Sequence, residues 1–435
     1  MLAGVHAIDA DAHVYEDPFL IAKRAPEHLK KDLPQSFGRV LGYRFKNQIA
    51  YGSRSRWAAF ERGGWEELRR HVEDVEGGGS HVRSANVTHD LFPGVAMMSD
   101  GSPWHQRYPE LPEHYDDKWY PPHAVAAELN RQGFDEAFMY PSIGLFWPSF
   151  DGLGPMGIEC CRIYNDWLYE YCSYNPVLFK PVAMVSLHEP ALAIEEVRRT
   201  HRLGFAAVCL SRFPDGRTSA DADLEPFWSL CEQLGMLVSF HPVPSNAYLS
   251  DPPLERSGSP FESFNANMFA QHFANLLISG TLERHPNLRI ALLESGCGWL
   301  PSVLWRLDRM FYKSQTFTDV WGREIPRLLA GLSRDELREN IKMPPVDYFR
   351  RQCYIECEAE PFVEEVANLI GEDRIVFQGD FPHPDHHPSY IQDFVNIVPE
   401  RLRKKILCDN PREMYRRRSD VPSGVAASAS EVEVL

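Results

Sequence analysis

The sequence predicts an α/β fold: a TIM-type (β/α)8 barrel with a long insertion after the first strand. Three observations carry that expectation. Short apolar runs rich in β-branched and aromatic residues recur eight times along the 435 residues. Stretches of helical period separate several of them. Acidic or imidazole residues stand where several of the runs stop. Eight parallel strands alternating with helices can close into a barrel, and in that fold the functional groups gather at the C-terminal ends of the strands. A doubly wound open sheet is the competing architecture, but no glycine-rich turn follows the first run.

In chain order the strands are expected at 7–11, 136–140, 181–187, 206–210, 236–241, 289–294, 353–358 and 375–380. The first run leads into Asp11-Ala12-His13, the fifth (Met236 onward) into His241-Pro242, the sixth into Glu294 and the eighth (Ile375-Val376-Phe377) into Asp380. Between runs, apolar residues at spacings of three and four predict helices over 157–171, 190–203, 224–234 and 361–370. The stretch 20–122 breaks the rhythm with Trp, Tyr, Pro and Gly, including Gly77–Gly79 and the Trp104, His105, Tyr108 cluster. Long insertions at a barrel mouth commonly act as lids, so 20–122 is expected to form a cap; an aromatic-stapled surface subdomain or oligomer contact is the alternative. Residues 1–418 are expected to form one barrel domain, and the small, polar, acidic stretch 419–435 a disordered tail.

Composition narrows the function. Hydrophobic residues make up 44% and charged residues 24%, the range of a globular chain with a large core. A formal charge of −16 opposes nonspecific binding to nucleic acid or anionic membrane, which needs clustered Lys and Arg. The basic clusters 401–405 and 412–418 are interleaved with apolar residues and read as solvated helix faces. No window reaches the roughly 20 apolar residues of a membrane span, and the first ten residues lack a signal-peptide pattern, so a cytoplasmic protein acting on a small molecule is expected. The nine cysteines form no CxxC pairs. Several, Cys209, Cys297, Cys353 and Cys357, lie in apolar, strand-like runs where free thiols pack as small hydrophobes, so neither disulfides nor a cysteine-ligated zinc site is expected.

Asp11 and His13, two apart on one strand, project from the same face and can reach one metal ion. His241 offers an imidazole after the fifth strand and Asp380 a carboxylate after the eighth. A closed barrel brings these positions near one axis. Asp11, His13, His241 and Asp380 are therefore the expected ligands of one divalent ion. Mixed oxygen and nitrogen donors suit Zn²⁺, Mn²⁺ or Fe²⁺, with zinc the first expectation. Arg212 after the fourth strand could clamp a substrate carboxylate by its two-pronged donor geometry, and His383 is placed to line the pocket. His386 and His387 belong to a turn-like HPDHHP run rather than to a second metal site. His188 has an ordinary surface role as its alternative, and His272 core packing.

These segments, IDADAHVYEDP near the start, NDWLYEYCSYNPVLFKPVAMVSL, HPNLRIALLESGCGWLP, FQGDFPHPD and ILCDNPREMY, resemble the amidohydrolase superfamily. The likeness is to the amidohydrolase-related branch that includes aminocarboxymuconate semialdehyde, γ-resorcylate and 5-carboxyvanillate decarboxylases. It implies metal ligation by Asp11, His13, His241 and Asp380, nonoxidative decarboxylation of a small aromatic or unsaturated acid, and a homodimer as a common state. Asp380 or Glu294 would then handle the proton. The chain departs from the branch at Glu294, a carboxylate where an imidazole is expected. Glu294 could be a further ligand, an ionised base or, with a raised pKa, an acid; a salt bridge to Arg306 or Arg309 is the structural alternative. The same ligands would also serve metal-dependent hydrolysis of an amide, ester, lactone or C-acyl bond, the competing reaction. A noncatalytic binding barrel is the third possibility, and the intact ligand positions argue against it.

Overall fold

The computed structural model describes residues 4–17, 19–33, 43–45, 48–51, 58–64, 67, 70–71, 121–149, 156–211, 213, 217–242, 262–314, 338–383 and 390–416. The expected cap at 20–122 and the tail at 419–435 therefore lie largely or wholly outside the described residues, as do Arg212, His386 and His387.

Eight strands form one parallel sheet in sequence order: β1 Ile8–Val14, β2 Glu136–Pro141, β3 Phe179–Met184, β4 Ala207–Leu210, β5 Leu237–Phe240, β6 Ile290–Leu292, β7 Cys353–Cys357 and β8 Ile375–Phe377. Every run named above yields a strand within a few residues of its expected bounds. The ring is joined between its ends just past β8, where Asp380 N–H donates to Asp11 O (3.1 Å) and His13 N–H to Phe381 O (2.8 Å). These two bonds bring the segments that carry Asp11, His13 and Asp380 side by side. A separate antiparallel hairpin pairs Tyr43–Phe45 with Gln48–Tyr51.

Helices alternate with the strands as the periodicity requires: α1 Pro122–Gln132, α2 Met156–Cys172, α3 Pro190–Leu203, α4 Glu225–Leu234, α5 Glu262–Ile278, α6 Leu300–Ser314, α7 Pro345–Gln352 and α8 Val363–Ile370. Proline opens α1, α3 and α7, where the missing N–H has no partner to lose. The α3 bounds match the expectation, and α2, α4 and α8 differ from it by one or two residues.

Strands covered by helices on one face and packed side chains on the other read as continuous apolar runs, and the buried patterns of β4, β5, β6 and β8 show it. Trp147, Trp228, Tyr140 and Tyr164 are among the largest fully buried side chains of the described residues. All nine cysteines are free and buried, and burial pushes the thiol pKa values up. Arg401 and Lys405 near the C-terminus make ion pairs at the surface, Arg401 with Glu364 and Glu372, and Lys405 with Glu372 and Asp373. Among the described residues no helix is long and apolar enough to cross a membrane.

One local expectation needs correction. His241, Glu294 and Asp380 do not end their strands but sit one, two and three residues beyond them, and Asp11 and His13 lie inside β1, Asp11 within a register irregularity between Asp9 and Ala12 and His13 just past it. Polar groups that must face a shared centre leave the regular ladder, because the pleat would direct them by strict alternation.

Candidate metal centre

Asp11, His13, His241 and Asp380 converge. His13 Nε2 lies 3.1 Å from Asp380 Oδ1 and 3.6 Å from Asp11 Oδ1, and His241 Nε2 lies 3.6 Å from Asp11 Oδ2. The two imidazoles face each other, Nε2 to Nε2, at 3.3 Å. Asp11, His13 and His241 are completely buried and Asp380 is 3% exposed.

The imidazole tautomers follow from their neighbours. His13 Nδ1 lies 2.9 Å from the carbonyl of Pro141, and His241 Nδ1 lies 2.9 Å from that of Pro242. A carbonyl only accepts, so each Nδ1 carries the proton and each Nε2 presents a lone pair. Burial keeps both rings neutral: the His241 pKa falls to about 3, and that of His13 falls well below the usual range, helped by His383 and His241 nearby. Two lone pairs therefore point at each other and at carboxylate oxygens. Neither oxygen of Asp11 accepts a hydrogen bond, and burial, then Asp380, Asp9 and Glu356, push its pKa well above the carboxylate norm. A donor set of this kind is repulsive by itself and complementary to a divalent cation. The residues fit one such ion, with two imidazoles and two carboxylates approximately neutralising it.

The surroundings brace the ligands. His383 Nδ1 lies 2.9 Å from Asp380 Oδ1, and its Nε2 is hydrogen-bonded to Ser142 Oγ at 2.8 Å. The His383 ring stacks on His13 at 3.9 Å. His383 thus lies against the Asp380 carboxylate, close enough to His13 and Asp380 to complete a second candidate trio of donors. Buried Asp9 accepts from the N–H groups of Asp11 (3.2 Å) and Gly379 (2.7 Å), tying β1 to the segment that carries Asp380. A Cβ on Gly379 would come within 2.3 Å of Asp9 Oδ2, so this approach requires glycine. Asp380 itself holds φ 54°, a left-handed conformation that places its carboxylate toward the centre. Tyr140, bonded through its hydroxyl to Tyr415, packs against both ligand imidazoles at 6.1 and 5.8 Å.

Glu294 reaches the same centre. Its Oε2 lies 3.0 Å from His241 Nε2, with the side chain 21% exposed. The suggested salt bridge to Arg306 or Arg309 is not among the ion pairs of the described residues. His272, by contrast, stacks on Phe240 at 4.7 Å as a core residue, and His188 is half-buried outside the centre.

Sequence reasoning missed Asp9, Glu356 and Ser142. Asp9 had a readable signal: in Asp9-Ala10-Asp11-Ala12-His13 the polar residues alternate with alanine along one strand. The others act on segments distant in sequence, so no local pattern marks them.

Fold and site together define a metal-dependent barrel enzyme. The chain belongs to the Amidohydrolase family, which it matches over residues 8–417. It is 28% identical over 271 residues to a gamma-resorcylate decarboxylase of Polaromonas sp., covering 59% of this chain and 76% of that protein. It is 30% identical over 276 residues to a gamma-resorcylate decarboxylase of Rhodococcus jostii, covering 60% and 77%. A solved dihydroxybenzoic acid decarboxylase from Polaromonas sp., with bound manganese and the inhibitor 2-nitroresorcinol, shares the fold with a TM-score of 0.57 at 18% identity, covering 96% of this chain and 99% of that one.

Proposed function

We propose that this protein decarboxylates a small hydroxylated aromatic acid without an oxidant, using one divalent ion held by Asp11, His13, His241 and Asp380. The observation that carries the metal part is the pair of Nε2 lone pairs of His13 and His241, 3.3 Å apart and faced by Asp11. The decarboxylase relatives support the reaction class. The ion is zinc or manganese: the mixed donors suit zinc, and the two carboxylates suit manganese, the metal bound in the Polaromonas structure.

When bound, the ion supplies a Lewis acid and a template for a carboxylate with an adjacent hydroxyl. The chain's own residues do the rest. The carbon–carbon bond to the carboxylate breaks, carbon dioxide leaves, and one proton takes its place on the ring carbon. Asp380, oriented by His383, and Glu294, at the more open side of the centre, are the two groups able to hold and deliver that proton. Arg212 would bind a substrate carboxylate, and residues 20–122 would cap the mouth. The reading includes a cytoplasmic homodimer, whose mass light scattering measures.

Purified protein loaded with zinc or manganese should release carbon dioxide from 2,6-dihydroxybenzoate or a related salicylate-type acid. Hydrolysis is the second reading, favoured by one observation: a carboxylate, Glu294, stands beside His241 where the branch decarboxylases carry an imidazole. Release of an acid from an ester or amide, with no carbon dioxide from any aromatic acid, would decide for it.

A further inference from the structure

Glu294 is held in place by an unusual use of side chains. Five consecutive backbone N–H groups, from Glu294 to Gly298, all donate to side chains of other segments. Glu294 N–H donates to Gln378 Oε1 at 3.2 Å. Those of Ser295 and Gly296 both donate to Glu356 Oε1. Cys297 N–H donates to Glu360 Oε2 at 2.9 Å, and Gly298 N–H to Glu360 Oε1 at 3.3 Å. Just before them, Leu293 N–H still makes a ladder bond to Phe240 O at 3.1 Å. The chain therefore leaves the sheet and turns at Glu294 itself.

The turn is left-handed at two positions, φ 60° at Glu294 and φ 64° at Gly296. A residue with a side chain keeps that conformation only where its surroundings over-determine it. Here the surroundings are Glu356, fully buried within β7, and Glu360 four residues later. A Cβ on Gly296 would lie 2.8 Å from Glu360 Oε1, so the carboxylate and the glycine are fitted to each other. Burying a carboxyl group is costly unless hydrogen bonds compensate it; burial, then Glu358 and Glu360, push the Glu356 pKa well above the usual range, and the N–H groups of Ser295 and Gly296 on its Oε1 are what oppose that rise.

We propose that Glu356 is a positioning residue: with Glu360 behind it, it holds the 294–298 turn in the left-handed form that aims the Glu294 carboxylate at His241. Loss of its acceptor oxygen lets the turn relax and withdraws Glu294 from the metal centre. The catalytic part of this statement rests on the proposed function; the conformational part does not.

Two readouts test it. In Glu356→Ala, the amides of Ser295 and Gly296 should exchange with deuterium at least about tenfold faster, as expected for local opening, and Glu356→Gln, which keeps a carbonyl oxygen, should restore most of the protection. In turnover of 2,6-dihydroxybenzoate, Glu356→Ala should lower kcat about 10²-fold in the wild-type background. In a Glu294→Gln background it should add no more than about a threefold loss, because the two residues act as one unit. Equal losses in both backgrounds would show that Glu356 acts independently of Glu294 and overturn the proposal. So would unchanged exchange at Ser295 and Gly296. If Glu356→Ala does not fold, Gly296→Ala reaches the same turn with both carboxylates present and should give the same pattern. Wild-type protein that releases no carbon dioxide sinks the decarboxylase reading alone, and the exchange measurement then decides this one.

Discussion

His13 and His241 face each other through their Nε2 atoms at 3.3 Å, while each Nδ1 is committed to a backbone carbonyl. Neutral imidazoles in this arrangement repel unless a cation lies between them. His241→Ala should therefore leave the protein folded and lower bound metal from one equivalent to a trace, with activity lost. Elemental analysis of the purified variant checks it. A full equivalent of metal in the folded variant would remove His241 from the ligand set.

Glu294→Gln keeps the size and removes the charge beside His241. If the carboxylate moves a proton, kcat should fall about 10²-fold to 10⁴-fold while metal content stays at the wild-type level. Steady-state kinetics with parallel metal assay separate the cases. A fall in metal content makes Glu294 a ligand, and near-normal turnover with metal retained makes it structural.

Gly379 is the point at which Asp9 meets the Asp380 segment. Gly379→Ala places a Cβ 2.3 Å from Asp9 Oδ2 and 2.9 Å from the Phe134 ring, between the buried residues Gln378 and Asp380. Overpacking of this kind costs about 1–3 kcal/mol, and it displaces a ligand-bearing segment. Denaturant unfolding should show that loss, and isothermal titration should show weaker metal binding. Wild-type values in both would mean that the site accommodates the methyl group.

His272 packs its ring on Phe240, and burial lowers its pKa from 6.5 to about 4. The folded state keeps it neutral, whereas the unfolded chain binds a proton below about pH 6.5. The unfolded state therefore holds more protons between about pH 4 and 6.5, so stability rises with pH across that window and levels off above it. The contribution of this one group is on the order of 3 kcal/mol. Its Nδ1 has no hydrogen bond to lose. His272→Phe should accordingly lose less stability than wild type on going from pH 7 to pH 4.5 in denaturant titrations. Parallel pH profiles for the two proteins would refute the assignment.

Much of the fold was legible because its causes are local. Residues 206–210 and Ile375–Phe377 read as strands from continuous apolar side chains, and α3 could be bounded from its opening proline and the glycine after it. The convergence of Asp11, His13, His241 and Asp380 was legible because acids and imidazoles bordering apolar runs need partners. The bracing residues were not. Glu356 in Tyr354-Ile355-Glu356-Cys357 looks like any acid in a strand, and nothing near it names the amides of Ser295 and Gly296 as its partners.

The sequence by itself determined the alternation of eight strands with helices and the chemical identity of four converging donors, since periodicity and residue type are properties of short segments. Tertiary structure alone decided how those donors are aimed. Carbonyls of Pro141 and Pro242 select the tautomers of His13 and His241, Asp9 ties Gly379 to Asp11, and Glu356 and Glu360 hold the left-handed turn at Glu294. Most of these contacts join residues 60 to 370 positions apart, and a hydrogen bond's direction exists only once both partners have been brought into place by the closed barrel.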